Sequence, residues 1–200
     1  MDIYLIRHGE TNWNRMKKLQ GTTDIPLNAY GIELAEKTAE GLKSVPFDRI
    51  YTSPLIRARK TAEIIRGDRP IEIIETDGLK EISFGDYEGL CYLPDNYTIP
   101  KPGFRKFFDD PEHYDTPPHG ESLLHLRERT SSFVRSIMDD PANENMTFLM
   151  TAHGAAIRGI LSGLQNLPLA EFWSGPVHKN CGVTKLHVEH GKFNIEFENR

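Results

Sequence analysis

No apolar run in this 200-residue chain approaches the roughly 20 residues that a membrane-spanning helix needs. A signal peptide is not expected either, because nothing before Ile3 could form a charged segment followed by an apolar one. Cysteine is scarce. Cys91 and Cys181 are the only two, they stand far apart, and they make no CxxC. They read as reduced thiols of a cytoplasmic protein, although a mature secreted chain would look the same. Basic stripes are missing as well. The formal charge is −5, with acids and bases interspersed, so binding to nucleic acid through its phosphates is not expected. There are no internal repeats and no low-complexity tracts.

The length suits one globular domain, and a hydrophobic fraction of 38% is enough for a core. Along the chain, strands and helices alternate. Ile3 to Ile6 is a short apolar run of the kind buried on both faces of a sheet. Asn28 can cap a helix to about Leu42, with Leu34, Ala35, Thr38, Ala39 and Leu42 on one stripe. A strand near Arg49 to Thr52 precedes a helix from about Pro54 to Arg66, proline suiting the first helical turn. A strand follows near Ile71 to Glu75. A long helix is expected over roughly Glu121 to Asp139, then a strand near Thr147 to Thr151 and a helix over Ala155 to Leu164. A hairpin of Gly182 to Val188 and Lys192 to Phe197 turns at His190-Gly191.

Between Cys91 and Gly120 the character changes. Prolines 94, 100, 102, 111, 117 and 118 punctuate a stretch rich in aromatics, which reads as an irregular or partly helical insert over the sheet. Its aromatics, Tyr92, Tyr97, Phe104, Phe107, Phe108 and Tyr114, could select a substrate's organic part. Ordinary packing, with Lys101, Arg105 and Lys106 on a solvated face, is the reading favoured for most of them.

Strands separated by helices imply a three-layer α/β sandwich with a mostly parallel sheet. In such sheets ligands bind beyond the carboxyl ends of the strands. Three strands deliver polar residues there: Arg7 and His8, then Ser53 and Arg57, then His153 and Gly154. Two arginines and two histidines make an anion site, since guanidinium forks match phosphate or carboxylate oxygens. A histidine held among such charges is pushed toward its neutral form, in which imidazole is a nucleophile able to attack phosphorus. The transferring phosphoryl group needs positive charge around its oxygens, and the leaving alkoxide needs a proton from a nearby acid. A backbone carbonyl near Gly9 could fix the tautomer of His8.

The stretch "LIRHGET" resembles the signature of the histidine phosphatase superfamily, in its phosphoglycerate mutase-like branch. "RHGETNWN", "LQGTTDIPLNAYG", "SPLIRARKTA", "LKEISFGDYEG" and "TAHGAAIRGIL" are similar to further family motifs and stand in the family's order. Together they cover nearly the whole chain except about 91–120. The resemblance implies a single domain over 1–200; the 91–120 segment matches no family motif and is expected to be a small inserted lid over the active site. It implies that His8 is the nucleophile that becomes phosphorylated. Arg7, Arg57 and His153 would hold the phosphoryl oxygens, with Asn14 and backbone near Gly154 helping. Glu81 would protonate the leaving group and later help activate water. Gln20, Gly21 and Thr22 would line the pocket mouth. The sequence departs from the family at Tyr87, where tryptophan is frequent, and at Ala152, where serine is.

The resemblance further implies a phosphoric monoester hydrolase of the histidine acid phosphatase type, without metal or cofactor because the arginines and histidines supply the positive charge. Its partner would be a small phosphorylated metabolite, with neither nucleic acid nor membrane involved and a homodimer left open. Two alternatives stand beside it: a phosphoglycerate mutase using the same phosphohistidine, and a non-catalytic phospholigand-binding module. The loop "LQGTTDIPLN" resembles phosphatase versions better than the mutase "FTGW" pattern, and a module without activity would be expected to have lost one of Arg7, His8, Arg57, Glu81 or His153. His113, His119 and His125 lack the compact spacing of zinc sites and read as surface or lid positions. His178, His187 and His190 read as surface residues near the final hairpin. Capping of a helix start accounts for Glu121 and Ser122, and in the resemblance Ser122 borders the pocket.

Overall fold

The computed structural model describes residues 1–101 and 103–200; Pro102, one of the prolines of the insert, lies outside them. The first strand, β1 (Asp2–Arg7), is followed by the short helix α1 (Asn12–Arg15), α2 (Ala29–Gly41), β2 (Arg49–Thr52), α3 (Ile56–Arg66) and β3 (Ile73–Glu75). The second half contains α4 (Lys106–Asp109), α5 (Leu123–Met138), β4 (Thr147–Ala152), α6 (Gly154–Leu164), β5 (Val183–Glu189) and β6 (Lys192–Phe197). The strands form one six-stranded sheet in the order β3-β2-β4-β1-β5-β6. β3, β2, β4 and β1 run parallel, and β5 and β6 add an antiparallel edge.

Burial explains why β1 reads as an unbroken apolar run. Ile3 and Leu5 face the core shared with α5 and α6, whose Leu126, Val134, Ile157 and Ile160 pack there. Tyr4 and Ile6 face the opposite core, with Leu42 from the end of α2 and Ala62 and Ile65 of α3. Strand side chains alternate between faces, so a strand covered on both sides needs apolar residues at every position. The fully buried β4, with Phe148, Leu149 and Met150, obeys the same rule.

Several helix starts fall later than the sequence suggests. Asn28 caps α2 as expected, accepting from the Gly31 N–H at 2.7 Å. α3 begins at Ile56 rather than Pro54, and its first N–H is capped from a distance by Asp24 Oδ1 at 2.7 Å. α5 begins at Leu123, because Ser122 serves as its N-cap. β3 begins at Ile73 rather than Ile71. The hairpin turns at His190-Gly191, both with positive φ (50° and 72°), the backbone that a tight two-residue turn demands.

The insert is short helical turns, including α4, separated by extended chain. Its Phe104 and Phe107 are buried and stack with centroids 5.6 Å apart. Phe84, Tyr114 and Trp173 pack edge-on around Phe107. Lys101, Arg105 and Lys106 are exposed. Packing therefore accounts for most of the aromatic content, as expected. Among the described residues, no helix is long and apolar enough to cross a membrane.

Candidate active site

The carboxyl ends of β1, β2 and β4 meet at one edge of the sheet, and each parallel strand carries functional residues just beyond its last paired position. His8 follows β1, Ser53 and Arg57 follow β2, and His153 follows β4. The rings of His8 and His153 lie 5.1 Å apart between centroids. Both are buried, as are Arg57 and Glu81. A cleft of about 140 Å³ opens beside them, lined by Arg7, Asn14, Gln20, Glu81 and Gly154 among others. Arg7 and Gly154 are the chain neighbours of the two histidines.

His8 is held through one ring nitrogen. Its Nδ1 donates to the Gly9 carbonyl at 2.6 Å, because a carbonyl can only accept. The proton is thereby assigned to Nδ1, and Nε2 keeps its lone pair. Burial first, then the charges of Arg57 and Arg7, holds the His8 pKa well below the ordinary value, so the ring is neutral. His153 is lowered by the same causes, burial foremost. Its Nε2 lies 2.8 Å from Ser53 Oγ. Ser53 Oγ also accepts from the Leu55 N–H, and His153 Nδ1 has no partner among the described residues.

The arginines are fixed through their outer nitrogens. Arg57 donates from Nη2 to the Gly21 carbonyl at 2.6 Å and from Nη1 to the Thr23 carbonyl at 3.0 Å. Burial lowers its pKa to about 10, which still leaves it charged at neutral pH. Arg7 donates from Nη1 to the His178 carbonyl at 2.5 Å. Of the buried polar atoms without a partner among the described residues, three N–H donors stand at this site: Arg7 Nε, Arg57 Nε and Gln20 Nε2. Unpartnered buried N–H groups are costly, and three of them at the site of one neutral imidazole suit an anion.

Glu81 is held by a helix rather than by a cation. α6 has no capping side chain of its own, since its N-cap is His153. The Glu81 carboxylate fills that role, accepting from Ala155 N at 3.1 Å and Ala156 N at 2.9 Å. Its own neighbour Ile82 donates a third N–H. Burial raises its pKa, and these N–H groups together with Arg57 and Arg7 pull the other way. Burial prevails, so the carboxyl holds a proton to higher pH than an ordinary glutamate.

The loop expected at the pocket mouth divides. Gln20 lines the cleft and is buried, with Oε1 accepting from Thr11 Oγ1 at 2.5 Å. Gly21 contributes its carbonyl to Arg57 rather than a surface to the cleft. Thr22 is exposed, does not line the cleft, and turns its N–H and hydroxyl to Glu88. The reason is that carboxylate. Glu88 accepts from Thr22 N at 2.8 Å, Thr23 N at 2.6 Å, Phe84 N at 3.2 Å and both threonine hydroxyls. A Cβ on Gly21 would overlap Glu88 Oε1 and the Ile82 carbonyl, so only glycine fits there.

One assignment is overturned. His178 is fully buried, not a surface residue. Its Nε2 pairs with Thr184 Oγ1 at 2.5 Å, and burial, followed by the charges of Arg158 and Arg7, lowers its pKa to about 4. The chain turns inward here so that its carbonyl can receive Arg7. His187 and His190 are exposed, as are His113, His119 and His125. Sequence reasoning gave no role to Ser53, Glu88, His178 or Asn180. Glu88 stands inside the quoted "DYEG", and Ser53 was placed beyond its strand, so the positions were visible while their partners were not.

Comparison with known proteins identifies the family. A family model described as the histidine phosphatase superfamily (branch 1) matches residues 3–200, and the chain belongs to that family. It is similar to an "Uncharacterized phosphatase PhoE" of Bacillus subtilis, 39% identical over 160 residues, which are 80% of this chain and 75% of that one. It is similar to a "Probable phosphoglycerate mutase GpmB" of Proteus mirabilis, 33% identical over 94% of this chain and 86% of the relative. Among solved structures it resembles the phosphoserine phosphatase of Entamoeba histolytica in complex with 3-phosphoglyceric acid, with a TM-score of 0.85 and 33% identity over 100% of this chain and 96% of that one. The phosphatase reading of the motifs fits the phosphatases among these neighbours, and the mutase alternative is not favoured.

Proposed function

We propose that the protein is a metal-independent phosphomonoesterase acting through a phosphohistidine on a small phosphorylated metabolite. The observation that carries this reading is the set of partnerless buried N–H donors of Arg7, Arg57 and Gln20 at the site of the neutral His8, whose proton is fixed on Nδ1. In the first step His8 Nε2 attacks phosphorus, the P–O ester bond breaks, and Glu81 gives its proton to the departing oxygen. Arg7, Arg57, His153, Asn14, Gln20 and backbone near Gly154 stabilise the phosphoryl oxygens as charge moves onto them. In the second step the Glu81 carboxylate takes a proton from water, the water oxygen bonds to phosphorus, and the N–P bond breaks. Phosphate leaves and His8 is neutral again.

On this reading residues 1–200 act as one domain, and the 91–120 segment covers the cleft. The cleft walls support a leaving group with an apolar part, because Tyr92, Phe107, Phe108 and Trp173 line it beside Lys18. Both cysteines are free, which supports a reducing compartment such as the cytoplasm.

The test is phosphate release from p-nitrophenyl phosphate in excess EDTA, with His8→Ala as control. Activity should survive EDTA and vanish in the variant. Activity lost to EDTA and restored by a divalent metal would overturn the metal-independent mechanism. Efficient interconversion of 2- and 3-phosphoglycerate primed by a bisphosphate, without net phosphate release, would favour the mutase.

A further inference from the structure

The segment just before β5 has no part in the mechanism above, yet it grips the nucleophile's strand end at four points. The His178 carbonyl accepts from Arg7 Nη1. Cys181 N donates to the Arg7 carbonyl at 2.9 Å, and Arg7 N donates to the Gly182 carbonyl at 3.3 Å. The fourth point is a side chain: Asn180 Nδ2 donates to the His8 carbonyl at 3.0 Å and to Asn14 Oδ1 at 3.3 Å.

That pair of bonds settles which way two amides face. The nitrogen and oxygen of an amide side chain are told apart by their partners. The His8 carbonyl can only accept, so the Asn180 atom beside it must be the nitrogen. The Thr11 backbone N–H can only donate, so the Asn14 atom that faces it at 3.1 Å must be the oxygen. Asn180 Nδ2 meets that same oxygen. Asn14 Oδ1 thus receives two fixed N–H donors, and Asn14 Nδ2 has no protein partner among the described residues. Asn14 lines the cleft. The nitrogen left over is the group an anion in the cleft would need, whereas a turned amide would aim an oxygen at it.

Resting on the phosphatase reading, we infer that Asn180 is a positioning residue: it locks the Asn14 amide with its NH₂ toward the phosphoryl group while pinning the carbonyl of the nucleophile His8. It touches no reacting atom in this account. The same segment is anchored from the far side, where Asn199 Oδ1 accepts from Lys179 N at 2.7 Å and Arg158 pairs with Glu198 at 2.8 Å. Asn180 is therefore presented by backbone that is itself tied down.

A double-mutant cycle separates this role from general support of the fold. Asn180→Ala, Asn14→Ala and the double variant are compared by kcat/KM on p-nitrophenyl phosphate and by calorimetric titration with inorganic phosphate. Asn180→Ala alone should lose about tenfold in kcat/KM and weaken phosphate binding, with most of that loss absent once Asn14 is alanine, the size of coupling usual for contacting residues. Asn180→Asp keeps the volume and puts an acceptor opposite both the His8 carbonyl and Asn14 Oδ1; it should displace the Asn14 amide and weaken phosphate binding more than alanine does. Losses that simply multiply in the double variant would overturn the inference, as would wild-type phosphate affinity in Asn180→Asp. Wild-type protein that binds phosphate but hydrolyses nothing would refute only the phosphatase reading, and the titrations would then judge Asn180 alone. Wild-type protein that neither binds nor hydrolyses would overturn both.

Discussion

Replacing Glu88 by glutamine should damage the site through a residue that touches no substrate. Five donors converge on the two Glu88 oxygens: Thr22 N, Thr22 Oγ1 and Phe84 N on one, Thr23 N and Thr23 Oγ1 on the other. In Glu88→Gln one oxygen becomes an NH₂. The best placement keeps the oxygen toward Thr22 and Phe84 and lets the Thr23 hydroxyl rotate to accept. The Thr23 N–H then faces another donor. An unsatisfied N–H costs about 1–3 kcal/mol, and the remaining bonds lose the assistance of a charge, which roughly doubles such bonds. A total near 2–4 kcal/mol falls on the turn at Gly21–Thr23, whose two carbonyls hold Arg57. If that turn loosens rather than the whole domain, Arg57 loses its anchors, and a misplacement worth about 2 kcal/mol lowers kcat/KM roughly 30-fold. The assay is kcat/KM on p-nitrophenyl phosphate beside a thermal melt. A variant within threefold of wild type in kcat/KM, melting at the same temperature, would refute the reasoning.

Stability should fall with acid below about pH 6.5. His8, His153 and His178 are all lowered by burial, so below their ordinary value the unfolded chain binds protons that the folded chain refuses, and stability present above that pH is lost as pH drops. For His178 alone the gap from 6.5 to about 4 is worth roughly 3 kcal/mol. The raised Glu81 pKa works in the opposite sense; urea melts at pH 7 and pH 4.5 measure the sum, and equal stabilities would contradict it. Read in kcat/KM, which reports transfer to His8 and not the later hydrolysis, Glu81→Gln should cost about 10²–10⁴-fold on alkyl phosphates, the range for loss of a general acid, and far less on p-nitrophenyl phosphate, whose leaving group needs no proton; equal losses on both would remove Glu81 from the acid role. Gly31→Ala should destabilise by roughly 1–3 kcal/mol, read as a lowered Tm, because its Cβ would overlap the Glu10 carbonyl where α2 crosses the strand exit.

The central strands were legible because burial on both faces writes itself as apolar runs, as in β1 and β4, and these two with β2 lie within a residue or so of where the sequence places them. Helix starts were less so, since α3 is capped by Asp24, more than thirty positions upstream, and no local pattern announces a distant cap. The same distinction holds at the site. Arg7, His8, Arg57 and His153 follow parallel strands, so topology alone brings them to one edge. The groups that orient them come from far away in sequence: Ser53 for His153, Glu88 for the turn that holds Arg57, the His178 carbonyl for Arg7. His178 itself reads as a surface residue because it lies near the final hairpin, and the partners that hold it inside, Thr184 at its ring and Arg7 at its carbonyl, are not visible in that local context.

The measurement that meets the central claim most directly is a rapid acid-free quench of the enzyme with a phosphomonoester during turnover, followed by mass spectrometry of the peptide containing His8. The account predicts a phosphoryl group on His8, formed and lost at rates that match turnover, stable in base, labile in acid, and absent from His8→Ala. Steady turnover with no phosphoryl group on His8, or a label on another residue at the full rate, would contradict it.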